Sequence, residues 1–403
     1  MNIATNPGSG DFAARFALTK EQLLARRNAK WSQYAPDVIP AFVADMDFAI
    51  APEIQAAIRT PVEAEDYGYP MRDGQKADRA VAAAFSRRMA RLYDWQVDPD
   101  LTLVLADLVQ ATFAAVMAFS EPGNGVIVQE PNYPPFRAAV ADCGRHFVPM
   151  PMAMTDEGYR FDLAELEARM TPDVRILILC NPQNPTGRVF SRAELEALLA
   201  FAETHDLVVI SDEIHSDLIF DGRQHLPFGA LGLRAMARCV TLNSATKSFN
   251  IPGLRTAVMS FGSADLKDRF ECRFPSRVIG SVNTLGIDAT VAAWDLGDDW
   301  LSGLLDHLQA MRDHMAARIR AEMPAIRFRA PESTYLCWLD CNDLGIEGSA
   351  FDFFHDEARI AFSPGENFRP DAAKMVRLNF ATSKEILDEV LDRMVAALRR
   401  NAR

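Results

Sequence analysis

Five short apolar runs constrain this chain more than any other feature. They cover residues 125–129, 174–180, 207–211, 239–243 and 257–261. They are rich in Val, Ile and Leu and lack a regular polar–apolar alternation. Strands without alternation are buried on both faces, as in sheets covered by helices on either side. Between the runs the period changes to that of a helix. Ser191-Arg-Ala-Glu194 has the form of a capping box, in which the hydroxyl and the carboxylate take up free N–H groups. Leu195, Leu198, Leu199 and Ala202 then share one stripe. Strand, helix, strand in succession calls for right-handed crossovers, and so for an α/β fold around a mainly parallel sheet flanked by helices.

The last third departs from this pattern. Residues 298–323 form a long helical stretch that stops before Pro324. Strand-like pieces follow at 334–339 and 376–380. A final amphipathic helix carries Leu387, Val390, Leu391, Met394 and Leu398. We expect a smaller α+β domain over 288–403, a large domain over 48–287, and an N-terminal arm over 1–47 that joins the small domain. A length of 403 residues suits two packed units.

Composition excludes several classes. Hydrophobic residues make up 49% and charged residues 24%, which is globular. Against 55 acidic residues stand 42 basic ones, a net charge of −13, so a nucleic-acid surface is not expected. Residues 101–119 are the most apolar long stretch, but Asp107, Gln110 and Thr112 interrupt them, so no membrane span is expected. Residues 1–11 lack the apolar core of a secretory leader. Six cysteines over this length make no disulfide framework, and a reducing cytoplasm fits. Cys337 and Cys341 lie in an apolar run without a second pair of metal ligands; they read as packing, and no metal is expected. Gly8-Ser-Gly10-Asp-Phe-Ala13 loosely matches a dinucleotide loop, but no strand precedes it, so a flexible N-terminus is expected.

Chemistry gathers where the apolar runs end. Asn181-Pro-Gln-Asn184-Pro-Thr-Gly187 follows one, Asp212-Glu-Ile-His215 ends the next, and Ser244-Ala-Thr246-Lys247 ends a third, with Arg255 eight residues on. In open α/β sheets, ligands bind at the C-terminal ends of the strands. Taken singly, the first motif reads equally as a turn, Asp212 as a helix cap, His215 as a core histidine and Lys247 as a solvated loop residue. Two hydroxyls, an amine and a guanidinium close together suit a phosphate and a reactive lysine.

The order Asn184, Asp212, Lys247, Arg255 resembles the fold-type I pyridoxal-phosphate enzymes, the aspartate-aminotransferase-like group. Val43-Ala-Asp-Met-Asp-Phe48, Tyr67-Gly-Tyr-Pro70, Ser211-Asp-Glu-Ile-His215, Ser363-Pro-Gly365 and Val376-Arg-Leu-Asn-Phe-Ala381 resemble, more narrowly, the bacterial cystathionine β-lyase-like C–S lyases. The resemblance spans residues 25–400. It implies pyridoxal 5′-phosphate bound through the Lys247 amine, with Asp212 at the ring nitrogen, Asn184 at the ring oxygen and Tyr133 stacked on the ring. It implies a phosphate held by Ser244, Thr246, Arg255 and the helix start at Leu108 and Val109, with Tyr69, or less readily Tyr67, reaching in from a partner subunit. Arg377 would clamp the substrate α-carboxylate. The implied enzyme is a homodimeric C–S β-lyase acting on an amino acid, in which Lys247 also moves the Cα proton. An aminotransferase is the alternative, because the two reactions share their steps through Cα proton loss. A DNA-binding regulator of this fold would need an added basic domain, for which residues 1–45 are too few.

Two departures stand out. The stretch Ala106-Asp107-Leu108-Val109 replaces the usual Pro-Gly-Val-Val of these lyases, so Asp107 is expected to cap the helix or point away from the phosphate. Phe368-Arg-Pro-Asp-Ala-Ala stands where a glycine-rich stretch is usual.

Overall fold

A computed structural model describes residues 9–72, 74–156 and 158–401. Among these, eight strands form one sheet in the order Thr102–Leu105, Ala257–Phe261, Cys239–Asn243, Val208–Asp212, Val174–Cys180, Gly125–Glu130, His146–Thr155, Gly158–Phe161. The pairings from Cys239–Asn243 to His146–Thr155 are parallel. The flanking pairs are antiparallel. All five expected strands are present, with the first running on to Glu130 and the third shifted by one residue to Val208–Asp212.

Helices cover both faces. Arg192–Thr204 begins with the expected capping box at Ser191 and Glu194 and buries Leu195, Leu198, Leu199 and Ala202. Each such leucine contributes about 2 kcal/mol by leaving water. The apolar stretch 101–119 is two elements, the edge strand Thr102–Leu105 and the helix Leu108–Phe119, divided at Asp107. Asp107 breaks the run by capping the helix through its own side chain.

A second sheet comprises Leu336–Asp340, Met375–Asn379 and Ser363–Pro364, all antiparallel. The helices Asp298–Glu322, Ala350–Ala358 and Lys384–Asn401 accompany it in the chain. From the N-terminal side, Ile39–Pro40 pairs in parallel with Ile360–Ala361. Cys337 and Cys341 are fully buried, as packing requires.

The N-terminus corrects one expectation. Gly8 lies outside the described residues, but Ser9–Phe16 is a helix, not a flexible tail. Phe12 is buried, in edge contact with Phe48 and Trp300. Aromatic burial supplies what the loose glycine match obscured.

Candidate active site

Parallel strands of one sheet end at the same edge. Register places Asp212 between Cys180 and Leu242, so successive strand ends bring Asn184, Asp212 and Lys247 to that edge. Asp212 is buried and accepts one hydrogen bond, from Ile214 N–H at 3.1 Å. Among the described residues no cation pairs with it. Burial pushes its carboxyl up to about 7, with the neighbouring Glu213 charge adding. Glu213 turns away, held by Ser211 Oγ, Phe228 N–H and His225 Nε2. An ionised buried acid is costly unless a positive group meets it.

Lys247 keeps slight exposure as a residue, but its Nζ is packed in and donates to the Ala44 carbonyl at 3.0 Å. Burial lowers its pKa, and the Arg377 charge adds to this against Asp45 and Asp212. Such an amine loses its proton more readily than a surface lysine. His215 is buried with Nδ1 unpartnered, and burial with the charges of Lys247 and Arg377 drives it down to about 3, so the ring is neutral.

Arg377 approaches from the second sheet, opposite Ser363 and Trp338. Its Nη1 donates to Asn184 Oδ1 at 3.0 Å, and its Nη2 to Ser363 Oγ at 3.1 Å and the Phe42 carbonyl at 3.2 Å. Its Nε is buried without a partner, and its Cζ lies 4.7 Å from the Phe368 ring centroid. Burial pulls its pKa down to about 10. A buried guanidinium that spends three of its five N–H groups on neutral acceptors, and whose Nε–H has no partner, is built to receive a carboxylate.

The loop 43–48 lies between these halves. The Ala44 carbonyl accepts from both Lys247 Nζ and Tyr335 Oη, the latter at 2.9 Å. Asn379 Nδ2 donates to the Val43 and Asp45 carbonyls at 2.7 and 2.8 Å. Asn250, at φ +57°, donates to the carbonyls of Met46 and Phe48 and accepts from Met46 N–H. Below the loop, buried Lys30 pairs with Asp47 at 2.9 Å, and Trp31 Nε1 donates to the same carboxylate at 2.7 Å.

Of the residues expected at the phosphate, those other than Tyr69 lie at neighbouring strand ends and the helix start. Ser244 Oγ accepts from Thr246 N–H and donates to the Thr256 carbonyl at 2.7 Å. Arg255, at φ +47°, is exposed and pairs with Asp107. Asp107 Oδ1 accepts from Gln110 N–H at 2.8 Å, so it caps the helix as expected. Leu108 and Val109 open that helix, where N–H groups have no acceptor within it.

Tyr133 precedes the next helix, and burial raises its hydroxyl pKa, with the charges of Arg377 and Asp212 both felt. Tyr69 is not brought in: it is fully exposed, and Tyr67 is 62% exposed. Sequence reasoning passed over Tyr335 and Asn250, and it took Phe368 only as a departure from a glycine-rich stretch, not as a ring under Arg377. Tyr335 was hidden in an apolar run. Asn250 carried a signal, since Asn tolerates the left-handed conformation that places its amide.

An amine stands here with an acid and an arginine that, among the described residues, have no ion-pair partner, and with hydroxyls and a helix start suited to an anion; this set fits pyridoxal phosphate. The family described as aminotransferase class I and II matches residues 54–394. The cystathionine β-lyase PatB of Bacillus subtilis is 32% identical, over 94% of this chain and 98% of that one. The cystathionine β-lyase of Corynebacterium glutamicum is 31% identical, over 94% and 98%. The structure of the PLP-bound C–S lyase from Staphylococcus hominis superposes with a TM-score of 0.87 at 26% identity, covering 96% of this chain and 100% of that one.

Proposed function

The chain belongs to the aminotransferase class I and II family, and from that membership we propose that it is a pyridoxal-phosphate-dependent C–S β-lyase. It splits the Cβ–S bond of an amino acid such as cystathionine and releases a thiol, pyruvate and ammonia. One observation carries the chemistry: the strand ends and the loop 43–48 gather the pKa-lowered Lys247 amine, the buried Asp212 carboxyl, which among the described residues has no ion-pair partner, and the buried Arg377 with its Nε unpartnered.

When bound, the cofactor supplies an electron sink for the pair left at Cα. In this proposal the Lys247 amine is the group that would hold the cofactor covalently and, once the substrate amine has taken its place and freed it, would take the Cα proton. Asp212, once ionised by a positive partner, would be the residue that keeps a proton on the ring nitrogen. Arg377 clamps the α-carboxylate in two hydrogen bonds and so fixes which Cα substituent faces Lys247. Asn184 serves both sides, since its Oδ1 is held by Arg377 and its amide remains for the ring oxygen. Tyr133 covers a ring face. Ser244, Thr246, Arg255, Leu108 and Val109 form the phosphate patch.

Once the Cα proton has left, the outcome depends on which bond can break. A thiolate at Cβ leaves readily; an alkyl group does not. The family's breadth favours an aminotransferase as the second reading. Incubation with L-cystathionine separates the two. Equal amounts of thiol, pyruvate and ammonia without any 2-oxo acid are expected. A requirement for 2-oxoglutarate, with glutamate accumulating, would replace the lyase reading.

The proposal extends to organisation: an arm over 1–47, a large domain over 48–287, a small domain over 288–403, and a homodimer with Tyr69 reaching the partner's phosphate patch. Exposure of Tyr67, Tyr69 and Met71 on one segment supports the dimer. Among the described residues no helix is long and apolar enough to cross a membrane. A cytoplasmic setting is part of the proposal, supported by six cysteines that are all free thiols.

A further inference from the structure

We propose that Asp107 is an internal stand-in for the cofactor's phosphate: its carboxylate occupies the Arg255 guanidinium of the phosphate patch and the Gln110 N–H beside it, and cofactor binding has to displace it. The inference rests on the pyridoxal-phosphate reading above and concerns how tightly that cofactor is held.

Three contacts carry it. Asp107 Oδ1 accepts from Gln110 N–H at 2.8 Å, one of the N–H groups that a helix start offers to an anion. Asp107 Oδ2 accepts from Arg255 Nη2, the guanidinium of the same patch. Gln110 Oε1 turns back to accept from Ala106 N–H at 3.1 Å. Three donors at the mouth of the patch therefore have acceptors drawn from residues 107 and 110. A fourth, the Ser244 hydroxyl, is spent on the Thr256 carbonyl at 2.7 Å.

A phosphate entering here meets a carboxylate of like charge and competes with it for Arg255. Glycine at this position would bring neither the charge nor the cap. The ion pair is partly exposed, with Arg255 at 62% and Asp107 at 28%, so solvent weakens the competition. An exposed pair and a charge at a helix end are each small effects, and together they correspond to about a tenfold change in affinity.

The test is equilibrium titration of the cofactor-stripped, full-length protein with pyridoxal phosphate, read by absorbance. Asp107→Asn keeps a capping side chain and removes the charge. Its Kd for pyridoxal phosphate is expected to fall about tenfold, while its Kd for pyridoxal, which has no phosphate, stays unchanged. In an Arg255→Gln background the same substitution is expected to gain less. Unchanged or weaker binding of pyridoxal phosphate by Asp107→Asn overturns the inference, because Asp107 then orients Arg255 for the phosphate or plays no part. Equal tightening of pyridoxal also overturns it. If neither protein binds pyridoxal phosphate, the cofactor reading itself falls. A melting curve of each variant without cofactor establishes that it is folded.

Discussion

The carboxyl of Asp212 sets a pH dependence of its own. Its pKa of about 7 in the folded chain stands above the ordinary 3.8, so between these values the native state holds a proton that the unfolded state has lost. This contribution is fully present below about pH 4 and fades as the pH rises through 7. Asp212→Asn removes it. Without cofactor, the variant should match the parent near pH 4 and exceed it at pH 8 by up to a few kcal/mol, as urea midpoints would show. His215 runs the opposite way: its depressed pKa gives stability that is present above pH 6.5 and lost toward 3. It is common to both proteins and cancels in the comparison. With cofactor the order should reverse in function, Asp212→Asn binding it but losing most turnover, because the charge rather than the shape supports the ring proton. For Arg377→Lys we expect KM for the amino acid to rise about ten- to a hundredfold with the cofactor spectrum unchanged, since one point charge replaces a two-pronged clamp. These residues were legible because each ends a buried strand or sits in a quoted motif. Tyr335 was not, because an apolar run gives no hint that one hydroxyl will reach a backbone carbonyl more than 290 residues away.

Among the elements, the loop 43–48 depends on the short helix Ala29–Ser32 beneath it. Lys30, Trp31 and Asp47 are all buried, and Lys30 Nζ and Trp31 Nε1 both donate to the Asp47 carboxylate. Lys30→Met should cost about 3–5 kcal/mol, measured by denaturant midpoint, because it strands the Asp47 carboxylate. Adding Asp47→Asn should recover much of that loss. If the double variant is no better than the single, the pair is not what holds the helix to the loop. The central strands and the capped helix could be read from their period and caps. The strands Thr102–Leu105, His146–Thr155 and Gly158–Phe161 could not. The first merges with the apolar helix after it. In His146–Thr155, prolines at 149 and 151 break the expected pattern, and the strand lies outside the sheet's fully buried centre.

For the whole molecule, the segment bearing Tyr67 and Tyr69 tests the assembly. Tyr69 is wholly exposed in a single chain. If it completes the partner's site, Tyr69→Ala and Lys247→Ala subunits, each impaired alone, should regain activity when mixed. Random exchange into dimers leaves about a quarter of the sites with both residues intact. Restored turnover near that level is expected. No recovery, with exchange shown by native mass spectrometry, would mean that each site is built from one chain. The proposed dimer could be expected from the sequence only through the resemblance, since the exposure of this segment becomes visible only when it is folded.

The loop's double anchorage also has a consequence for synthesis. Asn379 Nδ2 holds the Val43 carbonyl across 336 residues, and Asp47 N–H donates to the Ala381 carbonyl. At a ribosomal pace of about 5–20 residues per second, the loop waits roughly 20–70 s for these partners after it has been made. Until residue 381 has emerged, the carbonyl that receives the Lys247 amine belongs to a loop lacking its later anchors. A nascent chain can therefore complete its central strands long before it can complete its reactive centre, and a truncated product is expected to fold in part without becoming an enzyme.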